Sequence, residues 1–290
     1  MSYIEKRNFS EVLAICRLEP KMRNIIVEGI TDKLVVERFL KKEHKTGISI
    51  MNVDMICFDD EYKEMSDEEV KVLKESNKEK VIYLASKVES ISSNCRLLGI
   101  IDRDFDMIQN KVRKGRYLAY TDYNSMELYL FKEEYITEIT GNIYRISSNI
   151  DVNALMLSIG KVCRFLFFLH SYLIPFNGRM VDFCKSFSYD KHTNECKLDM
   201  EKYLSKILQN NKLSDKAKII SDKLRSQLNV SAVDVRLEMR GHDFISVLYH
   251  ALYKHKRISM SEEDFANSTW LCLDSKLLEV EPLFQRVLAL

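Results

Sequence analysis

The chain has 290 residues, 46% of them hydrophobic and 10% aromatic, enough for a buried core in one large domain or two ordinary ones and too apolar for a disordered chain. Lys plus Arg (44) nearly balance Asp plus Glu (43), so the net charge of +1 points to no polyanionic partner and leaves any phosphate-binding surface to local clusters. Seven cysteines, scattered and odd in number with no CxxC pair, suit a reducing cytosol better than a disulfide scaffold.

In chain order, Met1 to Arg7 lack the apolar core of a signal peptide. Ile25, Ile26 and Val27 form a short apolar run that predicts a buried strand, and Thr31 reads as the cap of a helix carrying Leu34, Val35, Phe39 and Leu40. Ile48, Ile50, Val53, Met55 and Cys57 alternate with polar residues, with one slip in register, and predict a second strand. Ser66 and Glu69 make a capping-box pattern. Val81, Leu84, Ala85, Val88 and Ile91 recur at helical spacing and lead into the apolar run Leu97 to Ile101. Tyr117 to Tyr120 reads as a further strand, and Thr121 to Leu130 as the approach to a helix. The alternation predicts βα units and a parallel sheet over residues 1–145. From 146 to 290 helical periods dominate, so the expected architecture is α/β with a parallel-sheet domain followed by a mainly helical one. Ala154 to Phe176 is greasy but interrupted by Lys161, Arg164 and His170, which predicts a buried helix and no membrane span.

Two motifs carry the chemistry. Val27-Glu28-Gly29-Ile30-Thr31-Asp32 follows the first strand, and Asp102-Arg103-Asp104-Phe105-Asp106 follows the Leu97 to Ile101 strand. In open parallel sheets ligands gather at the carboxyl ends of strands, so Glu28 with Asp102, Asp104 and Asp106 could share a divalent ion there. Hard oxygen donors favour magnesium or manganese. Each motif also has a plainer account. Glu-Gly after an apolar run is a common turn, the DxDxD run equally suits a calcium-type loop or a solvated turn, and Thr31 and Asp32 suit a helix cap. Lys111, Arg113, Lys114 and Arg116 follow the aspartates in one loop, as a nucleic-acid backbone would require or as a solvated turn would allow. Asp243 is placed as a helix N-cap ahead of Phe244, Val247 and Leu248. No GxxxxGK[ST] and no HExxH occur, which argues against a P-loop or a zincin site.

The Glu28-Gly29-x-Thr31-Asp32 and Asp102-x-Asp104-x-Asp106 motifs, followed by Met126-Glu127-Leu128-Tyr129-Leu130, resemble the Toprim fold of topoisomerases, bacterial primases and overcoming-lysogenization-defect nucleases. With Arg240-Gly241-His242-Asp243 before a C-terminal helix, the chain resembles more narrowly the stand-alone Toprim-like family, formerly known only as a domain of unknown function, that includes the nuclease effector of PARIS anti-phage systems. The resemblance spans residues 20–131 and the region 240–250. It implies that Glu28 is a metal ligand or general acid/base, that Asp102 and Asp104 are the paired metal aspartates, and that Glu127 is the acidic residue after the last Toprim strand. Asp32, Asp106 and Asp243 are secondary. His242 is a proton donor, a phosphate contact or a turn residue. The resemblance further implies a magnesium-dependent cytoplasmic nuclease acting on RNA, tRNA in particular, held by a separate ATPase and dimeric once free. A DNA endonuclease or nickase on the same site, and a catalytically silent binding module, are the alternatives.

Overall fold

The computed structural model describes residues 6–92, 94–143, 145 and 150–290, so the reading of the N-terminus at positions 1–5 lies outside the described residues. The chain divides into two compact units, Met1–Asp122 with Asp274–Leu290, and Tyr123–Leu273. The helix-rich part therefore begins upstream of 145, and the last residues return to the first unit.

The first unit is α/β. Its elements are β1 (Arg7–Asn8), α1 (Phe9–Leu18), β2 (Arg23–Val27), α2 (Ile30–Lys42), β3 (Ile48–Asn52), β4 (Ile56–Cys57), α3 (Asp67–Glu75), α4 (Asn77–Ile91), β5 (Arg96–Ile101) and β6 (Leu118–Tyr120). The main sheet is parallel throughout, in the order β3-β2-β5-β6. Its two central strands, RNIIV and RLLGII, are buried almost end to end, as strands covered on both faces must be. Gly99 is required by close packing: a Cβ there would come within 3.0 Å of Val81 on α4 and 3.3 Å of the Tyr117 carbonyl.

Two expectations change here. The single strand predicted over Ile48 to Cys57 is broken at its register slip by a 3-10 turn, Val53–Met55, and the piece beyond it, β4, pairs with β1 in a separate two-stranded parallel sheet. Thr31 is not the cap of α2. That helix starts from Gly29, and Asp32, in its first turn, reaches back to accept from the Gly29 N–H at 3.0 Å. The Ser66/Glu69 capping box is present, with the Ser66 N–H donating to Glu69 Oε2 at 3.0 Å.

The second unit is mainly helical: α5 (Glu133–Glu138), α6 (Val152–Leu173), β7 (Phe187–Asp190), β8 (Glu195–Leu198), α7 (Met200–Asn210), α8 (Ala217–Leu228), α9 (Gly241–His255) and α10 (Glu262–Thr269). Its antiparallel β7–β8 hairpin was not foreseen. The stretch Val152–Phe176 is long and apolar enough to cross a membrane, but most of it is buried inside the protein, as the core helix of this unit. The chain ends with α11 (Ser275–Glu279) and α12 (Pro282–Leu288), which close the first unit, Phe284 meeting Phe39 edge-on at 4.8 Å between ring centres.

Candidate functional site: the acidic strand ends

The chain runs from β2 outward to β3, then crosses to the opposite side of β2 to form β5 and β6. The reversal of winding makes the carboxyl ends of β2 and β5 the topological switch point, the crevice where open α/β sheets bind ligands. Glu28 leaves β2 there and Asp102 leaves β5. A hydrogen bond joins them, the Asp102 N–H donating to Glu28 Oε1 at 2.8 Å across 74 residues of sequence. Burial pushes the Glu28 carboxyl up to about 8, against the pull of that N–H; the nearby charge of Asp104 pushes the same way, while Lys78 opposes it.

After Asp102 the chain turns sharply. Asp104 adopts a left-handed backbone (φ 47°), which Asp tolerates better than most side chains, and the Asp106 N–H donates to the Arg103 carbonyl at 2.9 Å. The Arg103 Nε donates to the Thr121 carbonyl, just beyond β6, at 2.6 Å. The turn presents Asp104 and Asp106 side by side to the ammonium of Lys78, which lies 3.2 Å from Asp104 Oδ2 and 2.9 Å from Asp106 Oδ2 and also donates to the Arg103 carbonyl. The Tyr120 hydroxyl donates to the same Asp106 oxygen at 3.2 Å, and its ring lies 5.7 Å from the ammonium. Burial alone would lower the Lys78 pKa, but the carboxylates of Asp104 and Asp106, with Glu28, outweigh it and raise it.

Lys78 is the site residue that the motifs did not reveal. It sits one residue into α4, whose start is tied down by Asn77: the amide of Asn77 donates to the Glu28 carbonyl at 3.0 Å and to Asp54 Oδ2 at 2.9 Å. A signal for both was available. A helix that crosses over between parallel strands begins at the edge where the preceding strand ends, so polar residues in its first turn face the same crevice.

Among the described residues, no three His, Cys, Asp or Glu side chains are gathered closely enough to hold a metal ion. At the strand ends Asp104 and Asp106 share the Lys78 ammonium. In kind, the donors suit a hard divalent cation, being carboxylate oxygens, two of which already share one positive charge.

The remaining predicted residues are placed differently. Asp32 serves the α2 cap. Arg113 pairs with Glu79 at 2.6 Å, and its backbone N–H donates to the Tyr120 hydroxyl at 3.0 Å, so it fastens the basic loop to α4; the Arg116 N–H donates to Glu89 in the same way. Lys111 and Lys114 are exposed. Glu127, His242 and Asp243 belong to the second unit. There Asn124 donates to the carbonyls of Leu237 and Met239 at 2.8 and 2.9 Å, clamping the chain before α9 to the 3-10 turn Met126–Leu130. That clamp packs Glu127 and Ser125 so tightly on Gly241 that a Cβ there would overlap both side chains.

Asp243 is not the N-cap of α9, because the cap is Arg240, three residues earlier, and the helix starts at Gly241, where only glycine admits Glu127. The Asp243 carboxyl is buried, with Oδ2 lacking a hydrogen-bond partner, and burial raises its pKa against the opposing charges of Arg240 and His242. His242 itself is exposed. Arg240 meets His170 at 3.0 Å, and burial together with that guanidinium holds the imidazole down to about 4. No protein-family model and no curated protein matches the chain.

Proposed function

We propose that the chain is a metal-dependent phosphodiesterase of the Toprim-like kind, a cytoplasmic nuclease effector of anti-phage defence that cleaves RNA, tRNA in particular, is held by a separate ATPase and works as a dimer. The observation that carries the phosphodiesterase reading is the bond between Glu28 and the Asp102 backbone, which brings two distant acidic motifs together at the switch point of a parallel sheet. The substrate and the partners rest on the family resemblance.

Asp102, Asp104 and Asp106 are the residues that would hold a magnesium or manganese ion, with Glu28 beside them. Such an ion, when bound, supplies neutralising charge for the phosphate oxygens and lowers the pKa of water. Glu28 handles the proton: one oxygen is fixed by the Asp102 N–H, and a carboxyl titrating at about 8 holds or releases a proton near neutral pH, the range in which a general acid or base works best. Lys111 and Lys114 offer charge along which a polynucleotide backbone can lie, while the Arg113 to Glu79 pair holds their loop in place.

Labelled tRNA and supercoiled DNA, each incubated with the purified chain in magnesium and in chelator, test the reading. Magnesium-dependent cleavage of tRNA is expected. Cleavage of DNA alone would move the substrate to the runner-up, and no cleavage of either by the free chain or by the chain released from its ATPase would overturn the reading. The silent binding module draws on one observation of its own, the Lys78 ammonium already satisfying Asp104 and Asp106.

A further inference from the structure

The Lys78 ammonium has an unusual position for a lysine. Its side chain is only 12% exposed, against 46% for Asp104 and 18% for Asp106, and it makes its contacts with the very carboxylates that the proposed chemistry needs for a metal ion. A lysine bridging two carboxylates gives them a cation that cannot diffuse away, which removes the repulsion of a packed acidic turn. The same bridge competes with any other cation for those oxygens.

We propose that Lys78 is the built-in counter-ion and loading gate of the acidic strand ends: it holds Asp104 and Asp106 while no divalent ion is bound, swings off them when one enters, and is then free to meet a phosphate. This rests on the reading of the strand ends as a metal-dependent phosphodiesterase site. Only the side chain has to move, because Asn77 fastens the backbone of the helix start to Glu28 and Asp54. A lysine stem with four rotatable bonds suits such a swing, whereas an arginine fork on the same aspartates would be harder to dislodge. Departure from the bridge costs the ammonium two contacts with carboxylates, and the incoming ion, with twice the charge, replaces it as their partner.

The test reads binding rather than cleavage. Manganese is titrated calorimetrically into the full-length wild type, Lys78→Met, Lys78→Gln and Asp104→Asn, each first checked for an unchanged circular dichroism spectrum. Removing the competing ammonium should tighten manganese binding by on the order of tenfold, the scale on which residues outside the immediate ligand set alter metal affinity. Either lysine variant serves, so a misfolded Met variant leaves the Gln variant to decide.

A second measurement needs no variant. Lys78 in the wild type should be acetylated faster by an amine-reactive ester when manganese is present, read by peptide mass spectrometry against the other lysines. Wild-type binding that Asp104→Asn abolishes, with the lysine variants unchanged or weaker and Lys78 labelling indifferent to manganese, would overturn the gate while sparing the metal site. Manganese binding by none of the four proteins would overturn both.

Discussion

The acidic ends of β2 and β5 in the first unit and the acidic start of α9 in the second are built from the same residue types, yet the fold treats them in opposite ways. At the strand ends the carboxylates have polar partners, the fixed Asp102 N–H for Glu28 and the Lys78 ammonium for Asp104 and Asp106. At the start of α9 the carboxyls are packed in. Glu127 presses on the backbone of Gly241, and half-buried Asp243 encloses an Oδ2 that no donor among the described residues reaches. The contrast teaches that a motif's acidity does not assign its role. A carboxylate answered by an ammonium has a partner that another cation can compete with, whereas one wedged against a helix backbone is part of the packing and is felt as stability.

The sharpest way to break this comparison is to remove one acid from the strand ends. Glu28→Ala and Asp104→Ala should each abolish cleavage, a loss of at least roughly a hundredfold for a missing proton carrier or metal ligand, while both proteins remain folded because neither group fills the core. Rates with tRNA at saturating magnesium check it, and a variant cleaving at near wild-type rate would sink the proposed site. The complementary change in the second unit should act on stability instead. Gly241→Ala forces Glu127 and Ser125 aside, and overpacking of this kind costs about 1–3 kcal/mol, measurable by urea unfolding. Adding Glu127→Ala should recover part of that loss. Equal stability of Gly241→Ala and wild type would mean that Glu127 is not wedged.

Titration gives a subtler contrast, because the two units carry buried groups of opposite sign. Glu28 has its pKa raised to about 8, so the folded chain binds its proton more tightly than the unfolded chain does. Its contribution to stability is full at low pH and is lost as pH rises through about 8. His170 is lowered to about 4, so the unfolded chain is the better base, and stability is lost as pH falls from the ordinary histidine range through about 4. Unfolding free energies of the metal-free protein across pH 4–9 should therefore decline at both ends. Glu28→Gln should remove the decline that runs from the ordinary carboxylate range up to about pH 8, and His170→Asn the decline from the ordinary histidine range down to about pH 4; a Glu28→Gln profile that still declines up to pH 8 as the wild type does would refute the account.

The smallest expected effect concerns the basic loop. Replacing Lys111 and Lys114 with Gln should weaken tRNA binding in any sequence context and lower its salt dependence by roughly two units of slope or less, with cleavage at saturating substrate largely spared. If binding is normal and the ATPase partner is lost, the loop is a protein-docking surface.

What could be read in advance followed from burial. The strands β2 and β5 are short apolar runs flanked by charge because both their faces are covered, and Glu28 and Asp102 were found because they are the first residues beyond those runs. The break at Val53 to Met55 left only a slip in alternation, and the β7–β8 hairpin, with four-residue strands and few apolar positions, left no usable period. Lys78 lies in a charged stretch where any lysine looks like a solvated one, and only the direction of the crossover helix distinguishes it. The start of α9 was misplaced by three residues because Asp243 has the chemistry of a cap, whereas the real constraint at Gly241 is the approach of Glu127, a contact across more than a hundred residues that no local pattern carries.

The return of the chain end to the first unit bears on the timing of synthesis. Phe284 packs on Phe39, the Leu283 N–H donates to Asp122, and Arg286 donates to the carbonyl of Arg116 at the foot of the basic loop. A chain emerging from the ribosome makes Glu28, Lys78 and the aspartates early, but the unit that holds them is finished only after residues 274–290 appear, with the whole second unit made in between. A nascent or prematurely stopped chain thus carries the acidic motifs without the packing that completes their scaffold. In the nuclease proposed above, an unfinished copy would therefore lack the completed scaffold of its acidic strand ends.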